Sequence, residues 1–194
     1  YFAKEFAAVY FHAGESKYAL DVLNSSFIDN VDGITGKGGG YYYRDNSRRA
    51  PHNLYTTGQN LAVAIKNYGY TSSLPEDYTP HYQFTTEDAP NMLENGEEAA
   101  VVKMYYVDAK PWFLYNKKDG LYYRYEFGDK QVDGATGKQL AVKNIILQNC
   151  ASSLKDSKNG TLDINYQSGG TGKYITNGKA IDITWSRASA SAKT

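Results

Sequence analysis

Residues 119–127 read Asp-Gly-Leu-Tyr-Tyr-Arg-Tyr-Glu-Phe, and this stretch decides the fold class. The large apolar side chains of Leu121, Tyr123, Tyr125 and Phe127 recur at every second position, which is the period of a β-strand. The dipeptide Asp119-Gly120 suits the positive φ angles of a type I′ turn. The stretch therefore predicts a strand that leaves a hairpin turn, with those four side chains on one face.

Two further dipeptides, Asn159-Gly160 and Asn177-Gly178, lie between runs of the same kind. Each suits a type I′ turn, which matches the twist of paired strands. The alternating apolar residues of these runs are Leu162, Ile164 and Tyr166, then Ile181, Ile183 and Trp185. Three such signals predict a hairpin-rich antiparallel β domain over residues 98–194.

The first 70 residues have an α/β pattern. Residues 7–11 form a short apolar run that predicts a buried strand ending at His12. Ser16 is the expected cap of a helix that ends near Asn24, and Thr57 is the expected cap of a second helix that Gly69 stops. We therefore predict an α+β fold with an α/β part over residues 1–70 and a proline-containing linker over residues 71–97.

Composition restricts the classes of function. The chain has 194 residues, with 21 Lys+Arg against 21 Asp+Glu. This balance argues against nucleic-acid binding, which favours a basic excess. The hydrophobic content of 41% and the aromatic content of 14% indicate a globular protein. The 19 tyrosines suit half-buried sheet surfaces or a binding face.

The single cysteine bears on disulfide bonding, and the apolar runs and the first residue bear on membrane spans and processing. Cys150 excludes an intrachain disulfide, and it follows the apolar run at residues 144–148, so we expect a packed thiol. The sequence has no apolar run of 18 residues and no visible signal peptide. Because the chain opens at Tyr1 without Met, we expect it to have been cut from a longer protein.

Nucleotide and metal motifs are incomplete. After Gly36-Lys37 comes Gly38, where a phosphate-binding P-loop requires Lys-Ser or Lys-Thr, so we expect a flexible turn. The residues His12, His52, His81 and Cys150 show no metal-ligand spacing. We therefore expect no cofactor and no structural metal, and we expect His81 to be solvated within the linker.

The densest polar group in the sequence is Arg44, Arg48, Arg49, His52 and Asn53. Guanidinium groups bind carboxylates and phosphates through two parallel hydrogen bonds, so this segment suits an anion or polar-ligand site. The alternative is a loop whose arginines bind its own carbonyls and acids. These residues belong to the segment from Phe27 to Thr56, which is unusually long for a loop inside a compact domain. We therefore expect hydrogen bonds to hold Arg48, His52 and Asn53 near the strand end at His12. The candidate ligand-binding residues are His12, Arg44, Arg48, His52, Asn53 and Tyr55.

Several segments, in the same order, resemble the YerB-like family of bacterial lipoproteins of unknown function. They are His12-Ala13-Gly14, Tyr43-Arg44-Asp45, residues 48–55 (RRAPHNLY), residues 119–124, Gln131-Val132-Asp133 with Thr136-Gly137, residues 143–148, Gly178-Lys179 and Thr184-Trp185. The most specific is RRAPHNLY.

The resemblance implies an N-terminal α/β part and a C-terminal β-rich part. It also implies export and a lipid anchor on the outer face of the cytoplasmic membrane. The chain departs from the family pattern in lacking the N-terminal segment with the lipidated cysteine, in stopping at Thr194, and in having Gln131 where a histidine is expected.

The expected function is a non-enzymatic module of the cell envelope that binds a cell-wall polymer or an envelope protein. The sequence has no G-x-S-x-G nucleophile motif, and its best polar cluster favours recognition over proton transfer. The alternative is an enzyme that acts on an envelope glycan or phosphate-bearing polymer through Arg44, Arg48 and His52 together with His12. Membrane contact is expected only through the lipid anchor, which this chain lacks.

Overall fold

The computed structural model describes residues 2–35, 38–80 and 82–188, and the chain divides into two compact units between Gln83 and Phe84. We call these the N-terminal unit and the C-terminal unit. The described chain is mostly β, with few and minor helices. Antiparallel pairing dominates the C-terminal unit as predicted, whereas the predicted α/β character of the first part is reduced to one parallel strand pair and three short helices.

The N-terminal unit contains all of the described helices. They are α1 (Phe2–Glu5), α2 (Leu20–Asn24) and α3 (Gly58–Asn67). Its strands are β1 (Tyr10–His12), β2 (Asn30–Asp32), β3 (Tyr43–Arg44) and β4 (Leu54–Tyr55). None of the helices, over the described residues, has the length and apolar character needed to cross a membrane.

The strand predicted over residues 7–11 is shorter and starts later, at Tyr10. The chain leaves α1 through a turn in which Ala7 adopts a φ of +49° and Ala8 donates to the carbonyl of Ala3, so these residues are unavailable to a strand. β1 pairs in parallel with β2, and Val31 at the centre of β2 is fully buried.

The two predicted helices differ in how well their caps were placed. Thr57 caps α3 as predicted, because its side chain accepts a hydrogen bond from the Asn60 amide, and Gly69 follows the helix with a φ of +67°. The predicted start of α2 was wrong. The chain from Ser16 makes a turn first, and the helix begins at Leu20 after Ala19, whose side chain makes no cap bond.

The C-terminal unit contains eleven described strands. They are β5 (Glu97–Glu98), β6 (Val101–Lys103), β7 (Trp112–Asn116), β8 (Leu121–Glu126), β9 (Asp129–Lys130), β10 (Ala141–Val142), β11 (Asn144–Gln148), β12 (Ser152–Asp156), β13 (Thr161–Ile164), β14 (Gly170–Thr176) and β15 (Lys179–Trp185). They form three antiparallel sheets rather than one. A five-stranded sheet has the order β10-β8-β7-β6 with β9 on β8, a four-stranded sheet has the order β11-β14-β15-β5, and β12 pairs with β13 alone.

All three predicted dipeptides lie at hairpin turns, but only one of these three hairpins has a two-residue turn. Asn177 and Gly178 join β14 to β15 with positive φ at both positions, as a type I′ turn requires. The loops that end at Gly120 and Gly160 have four residues, and in each only the glycine has a positive φ. A further two-residue turn at Phe127-Gly128 joins β8 to β9 and was not predicted.

The core of the C-terminal unit lies on the Tyr122 face of β8, opposite to the face of Leu121, Tyr123 and Tyr125. Tyr122 is fully buried, whereas Phe127 is 74% exposed in the turn that follows the strand. The cluster around Tyr122 consists of Val102, Phe113, Tyr122, Ile145, Ile175 and Ala180. The Tyr122 hydroxyl donates to the Ala99 carbonyl at 3.1 Å. The ring can therefore be buried without leaving an unpaired polar atom.

Cys150 is partly exposed, which corrects the expectation of a packed thiol. It lies two residues past the end of β11, which is an edge strand of its sheet. The strand itself alternates, with Ile145 buried and Ile146 45% exposed, so the apolar run at residues 144–148 is not buried throughout.

Candidate functional site

The parallel pairing of β1 and β2 brings two polar side chains together where both strands end. His12 and Asp32 are cross-strand partners at this carboxyl edge, and both are buried. They line a concavity of about 230 Å³ together with Glu15, Leu20, Leu23, Asn24, Asn30 and Thr35. Ligand sites in α/β sheets lie at this edge. We call His12, Asn30, Asp32 and Thr35 the strand-end cluster.

Asp32 is the most heavily hydrogen-bonded carboxylate of this cluster. One oxygen accepts from the amides of Gly14 at 2.6 Å and Ile34 at 3.0 Å. The other accepts from the amide and the hydroxyl of Thr35. Burial by itself would raise the pKa of Asp32, but these hydrogen bonds outweigh it and hold the pKa well below its ordinary value. The carboxylate therefore stays ionised and holds the turn after β2.

The ring nitrogens of His12 both face oxygen atoms of the protein. Nδ1 lies 3.0 Å from the Gly14 carbonyl, and Nε2 lies 3.1 Å from Oδ1 of Asn30. The orientation of Asn30 is fixed because its amide nitrogen donates to the carbonyls of Leu23 and Ile28. The two contacts engage both ring nitrogens with groups of the protein itself.

The distance from His12 to Asp32 decides how this corner can act. Nδ1 of His12 lies 3.8 Å from Oδ1 of Asp32, which is an ion-pair distance and too long for a hydrogen bond. A general base held by a carboxylate needs a hydrogen bond of about 2.6–3.2 Å between them. In this arrangement the Gly14 carbonyl takes the place that the carboxylate would need.

The same corner holds a possible metal-ligand set that the sequence did not reveal. One atom each of His12, Glu15 and Asp32 lies within 4.8 Å of the others. However, hydrogen bonds inside the protein already use the nitrogens of His12 and the oxygens of Asp32. We retain the prediction that the chain binds no structural metal. Elemental analysis after chelator washing checks it, and stoichiometric zinc would contradict it.

The second polar cluster is the segment over residues 44–55, which includes the end of β3, the connecting loop and β4, and which we call the arginine loop. Asn53 lies buried at its centre. Its Oδ1 accepts from Nη1 of Arg44 at 2.6 Å, and its Nδ2 donates to the carbonyls of Asp45 and Arg48. The backbone adds a bond from the Asp45 amide to the Asn53 carbonyl. Asn53 therefore fixes the conformation of the loop from inside.

The arginine loop presents its cationic side chains to solvent. Arg44, Arg48, Arg49 and His52 are all exposed. The Arg48 guanidinium lies 6.0 Å from the Tyr55 ring, which in turn stacks against Tyr43. Among the described residues, no carboxylate forms an ion pair with these arginines. Among the described residues, no hydrogen bond holds the side chain of His52, so that expectation was wrong. The expectation is confirmed for Asn53, and Arg48 is held through its backbone amide and carbonyl.

The strand-end cluster and the arginine loop have separate hydrogen-bond partners within the described ranges. The residues that line the concavity beside His12 include none from the loop. The predicted approach of Arg48, His52 and Asn53 to the end of β1 gains no support from these contacts and stays a prediction.

The glycine-rich segment before Tyr41 has a packing role that the sequence did not reveal. Gly38 is buried, and a Cβ added there would collide with the backbone carbonyl of Asp32. Only glycine allows this close approach. Gly36, Lys37 and His81 lie outside the described residues, so the predictions made for them are untested.

Sequence reasoning found His12 but missed Asn30, Asp32 and Thr35. The available signal was the short run Asn30-Val31-Asp32-Gly33, in which a β-branched residue precedes a turn dipeptide. A three-residue strand is too short for alternation to be recognised from the sequence.

Two domain definitions of one family match this chain. The first, "Protein of unknown function (DUF3048) N-terminal domain", matches residues 1–71, and the corresponding C-terminal domain matches residues 101–194. The chain belongs to the DUF3048 family. The two matches lie in different structural units, so both units of the DUF3048 chain have counterparts in the family.

A relative and a solved structure extend this assignment. The DUF3048 chain is 28% identical over 180 residues to a Bacillus subtilis (strain 168) protein named "Putative lipoprotein YerB". That match covers 93% of this chain and 53% of the relative, so the chain spans about half the length of the relative. The crystal structure of YerB protein from Bacillus subtilis matches with a TM-score of 0.74 at 25% identity, over 95% of this chain and 60% of that one. The resemblance to the YerB-like family is thus confirmed.

Proposed function

We propose that this chain is a non-enzymatic binding module of the bacterial cell envelope, and that its N-terminal unit contacts an anionic cell-wall polymer through the arginine loop. The complete protein would act outside the cytoplasm, where a lipid anchor holds it to the outer face of the membrane. The name of the Bacillus relative, a lipoprotein, supports this location.

One observation carries the proposal. Arg48 and Arg49 are exposed on a loop that the buried Asn53 fixes, and no described carboxylate forms an ion pair with either guanidinium. A loop that is already ordered loses little conformational entropy when it binds. Guanidinium groups pair with phosphate or carboxylate through two hydrogen bonds. The loop therefore suits a polymer that carries repeated phosphates or carboxylates.

Binding of the chain to purified wall teichoic acid and to insoluble peptidoglycan tests this function. The double variant Arg48→Gln/Arg49→Gln should lose at least about tenfold in affinity, and binding by the parent should weaken as salt rises. Lys66→Gln is the matched control, because Lys66 is exposed on α3 in the same unit. Equal affinity of the double variant and the parent for both polymers would refute the proposed contact.

The alternative of an enzyme that uses Arg44, Arg48 and His52 with His12 has one supporting observation, which is the closeness of His12 to Asp32 in a concavity. It has weaker support because internal hydrogen bonds occupy both residues. Release of soluble fragments from either polymer would favour it, provided that His12→Ala abolishes the release while Lys66→Gln preserves it. Intact polymer after prolonged incubation with the parent is the result that the binding proposal expects.

A further inference from the structure

The five-stranded sheet of the C-terminal unit has two apolar faces. The inner face carries Val102, Phe113 and Tyr122, which belong to the core. Residues paired across antiparallel strands share a face, so the outer face carries two cross-strand rows. One row is Val101, Leu114 and Tyr123, and the other is Lys103, Trp112 and Tyr125. An antiparallel sheet normally turns a polar face to water. This outer face is instead largely apolar.

A groove lies over the part of this face nearest β6. It has a volume of about 810 Å³, and its lining includes Val101, Tyr105, Trp112 and Leu114 together with Lys103 and Lys110. We call it the aromatic groove. The loop that forms its wall is anchored by bonds from Met104 to Pro111 and from Phe127 to Ala109. Tyr105 is nevertheless 96% exposed.

The strand beside the groove has a free edge. β6 is the last strand in the sheet order β10-β8-β7-β6. The Ala100 carbonyl accepts from Tyr115, and the Met104 amide donates to Pro111. In an antiparallel ladder, hydrogen-bonded pairs alternate with pairs that are not hydrogen-bonded. The backbone amide and carbonyl of Val102 therefore point toward β7, and those of Val101 and Lys103 point away from it. Over the described residues these groups have no strand partner.

We infer that the free edge of β6, together with the aromatic groove, docks an extended acidic segment of a partner protein, which adds to the sheet as a further strand. Main-chain bonds to Val101 and Lys103 would supply the pairing, and alternate side chains of the segment would lie over the groove. The surface belongs to the C-terminal unit and is independent of the polymer contact proposed for the arginine loop.

Charge identifies the occupant. Lys103 and Lys110 line the groove, and the lining residues include no Asp or Glu. Neither lysine forms an ion pair with a described carboxylate. A second copy of this chain would bring its own two lysines to the same place, and like charges across an interface are strongly unfavourable. A segment with an apolar residue beside Val101 and a carboxylate beside Lys103 fits both the groove and its charge.

A designed probe tests the inference. The probe is a fluorescein-labelled, capped decapeptide that repeats Thr-Val-Thr-Glu, so that valine and glutamate share one face of a strand. Its counterpart has lysine in place of glutamate. Fluorescence anisotropy should show saturable binding of the glutamate peptide and at least about tenfold weaker binding of the lysine peptide.

Three variants separate the parts of the surface. Val101→Pro removes an outward amide without removing a bond to β7, and it should abolish binding. Lys103→Glu/Lys110→Glu should reverse the preference between the two peptides. Tyr105→Ala should weaken binding at least about fivefold, since it removes an exposed aromatic contact. Lys118→Glu is the control, because Lys118 is exposed at the β7–β8 loop, and it should bind like the parent.

Hydrogen exchange adds a structural readout. On addition of the glutamate peptide, the amides of Val101 and Lys103 should exchange more slowly, whereas the Val102 amide, already bonded to β7, should not change. Three results would overturn the inference. The first is that Val101→Pro and the parent bind the glutamate peptide equally well. The second is that the parent self-associates and that Val101→Pro abolishes this self-association. The third is that neither peptide binds, whereas cell-wall oligosaccharides bind the parent and Tyr105→Ala removes that binding.

Discussion

The two units of this chain keep different kinds of side chains inside. Among the described residues, the N-terminal unit buries three hydrophobic side chains and five polar or charged ones, whereas the C-terminal unit buries seven hydrophobic side chains and one polar one. The hydrophobic core stabilises the C-terminal unit through apolar burial. The N-terminal unit relies more on buried polar groups that hydrogen bonds hold in place, as at Asp32 and Asn53. The two units should therefore respond to different perturbations.

Removing the centre of the hydrophobic core should have the largest effect. Tyr122→Ala deletes a fully buried aromatic ring and should lower the free energy of unfolding of the C-terminal unit by about 3–5 kcal/mol. Denaturant titration followed by NMR signals from each unit measures this, and signals of the N-terminal unit should keep their midpoint. Tyr122→Phe is the control and should cost about 1 kcal/mol, since only the bond to Ala99 is lost. Equal losses in both units would contradict the comparison.

The next largest effect should come from the carboxylate of the strand-end cluster. Asp32→Ala leaves the amides of Gly14, Ile34 and Thr35 without their acceptor and should destabilise the N-terminal unit by about 3 kcal/mol. The same denaturant titration measures the change. The C-terminal unit should be unaffected.

Acid should act on the same residue. The pKa of Asp32 in the folded unit lies below its unfolded value of about 3.9. The ionised carboxylate therefore contributes its full stabilisation above that unfolded value, and the contribution is lost as the pH falls further. Stability of the N-terminal unit should fall steeply below about pH 4 in the parent and less steeply in Asp32→Asn. Parallel pH profiles for the two proteins would show that Asp32 is not the responsible group.

A smaller loss is expected in the arginine loop. Asn53→Ala leaves the Arg44 guanidinium and two loop carbonyls without their partner, and should cost about 1–3 kcal/mol in a thermal or denaturant melt. His52→Ala is the matched control, because His52 precedes Asn53 in the sequence and its own side chain is exposed. This variant should change the free energy of unfolding by less than about 0.5 kcal/mol. If both variants melt like the parent, Asn53 does not hold the loop.

The smallest effect tests whether the C-terminal unit is uniform. Gly160 ends the loop of the separate β12–β13 ribbon with a φ of +63°, and a Cβ added there meets open space. Gly160→Ala should therefore cost about 1 kcal/mol, from backbone strain alone. Gly178→Ala should cost clearly more, because the added Cβ would also lie 2.7 Å from the Tyr115 ring. Equal melting temperatures for the two variants would remove the distinction.

The sequence predicted best the positions of the hairpins and the start of α3. The hairpins at Gly120, Gly160 and Asn177-Gly178 and the cap at Thr57 follow from local chemistry, in which turn and cap residues have few alternatives. The buried face of β8 could not be predicted in the same way. Tyrosine occupies both of its faces, and the choice of Tyr122 depends on a bond to the distant carbonyl of Ala99.

The candidate site was predictable only residue by residue. His12 and Asn53 stood out because polar residues followed an apolar run or a proline. Their partners did not, since Asn30 and Asp32 reach His12 through a parallel pairing that is non-local in the sequence. The free edge of β6 is likewise a property of the sheet order, which local periodicity does not contain.

The pairing of β5 with β15 determines when the four-stranded sheet can form during synthesis. Glu97 and Glu98, at the start of the C-terminal unit, pair with Ala180 and Lys179 near its end, which closes a chain loop of roughly 80 residues. During synthesis, the four-stranded sheet cannot be completed until β15 has been made, whereas the strand pairs of the N-terminal unit are already available. A nascent chain that stalls before Lys179 would carry a folded first unit and an open second one. The strand edges of the second unit would then be exposed to chaperones and proteases.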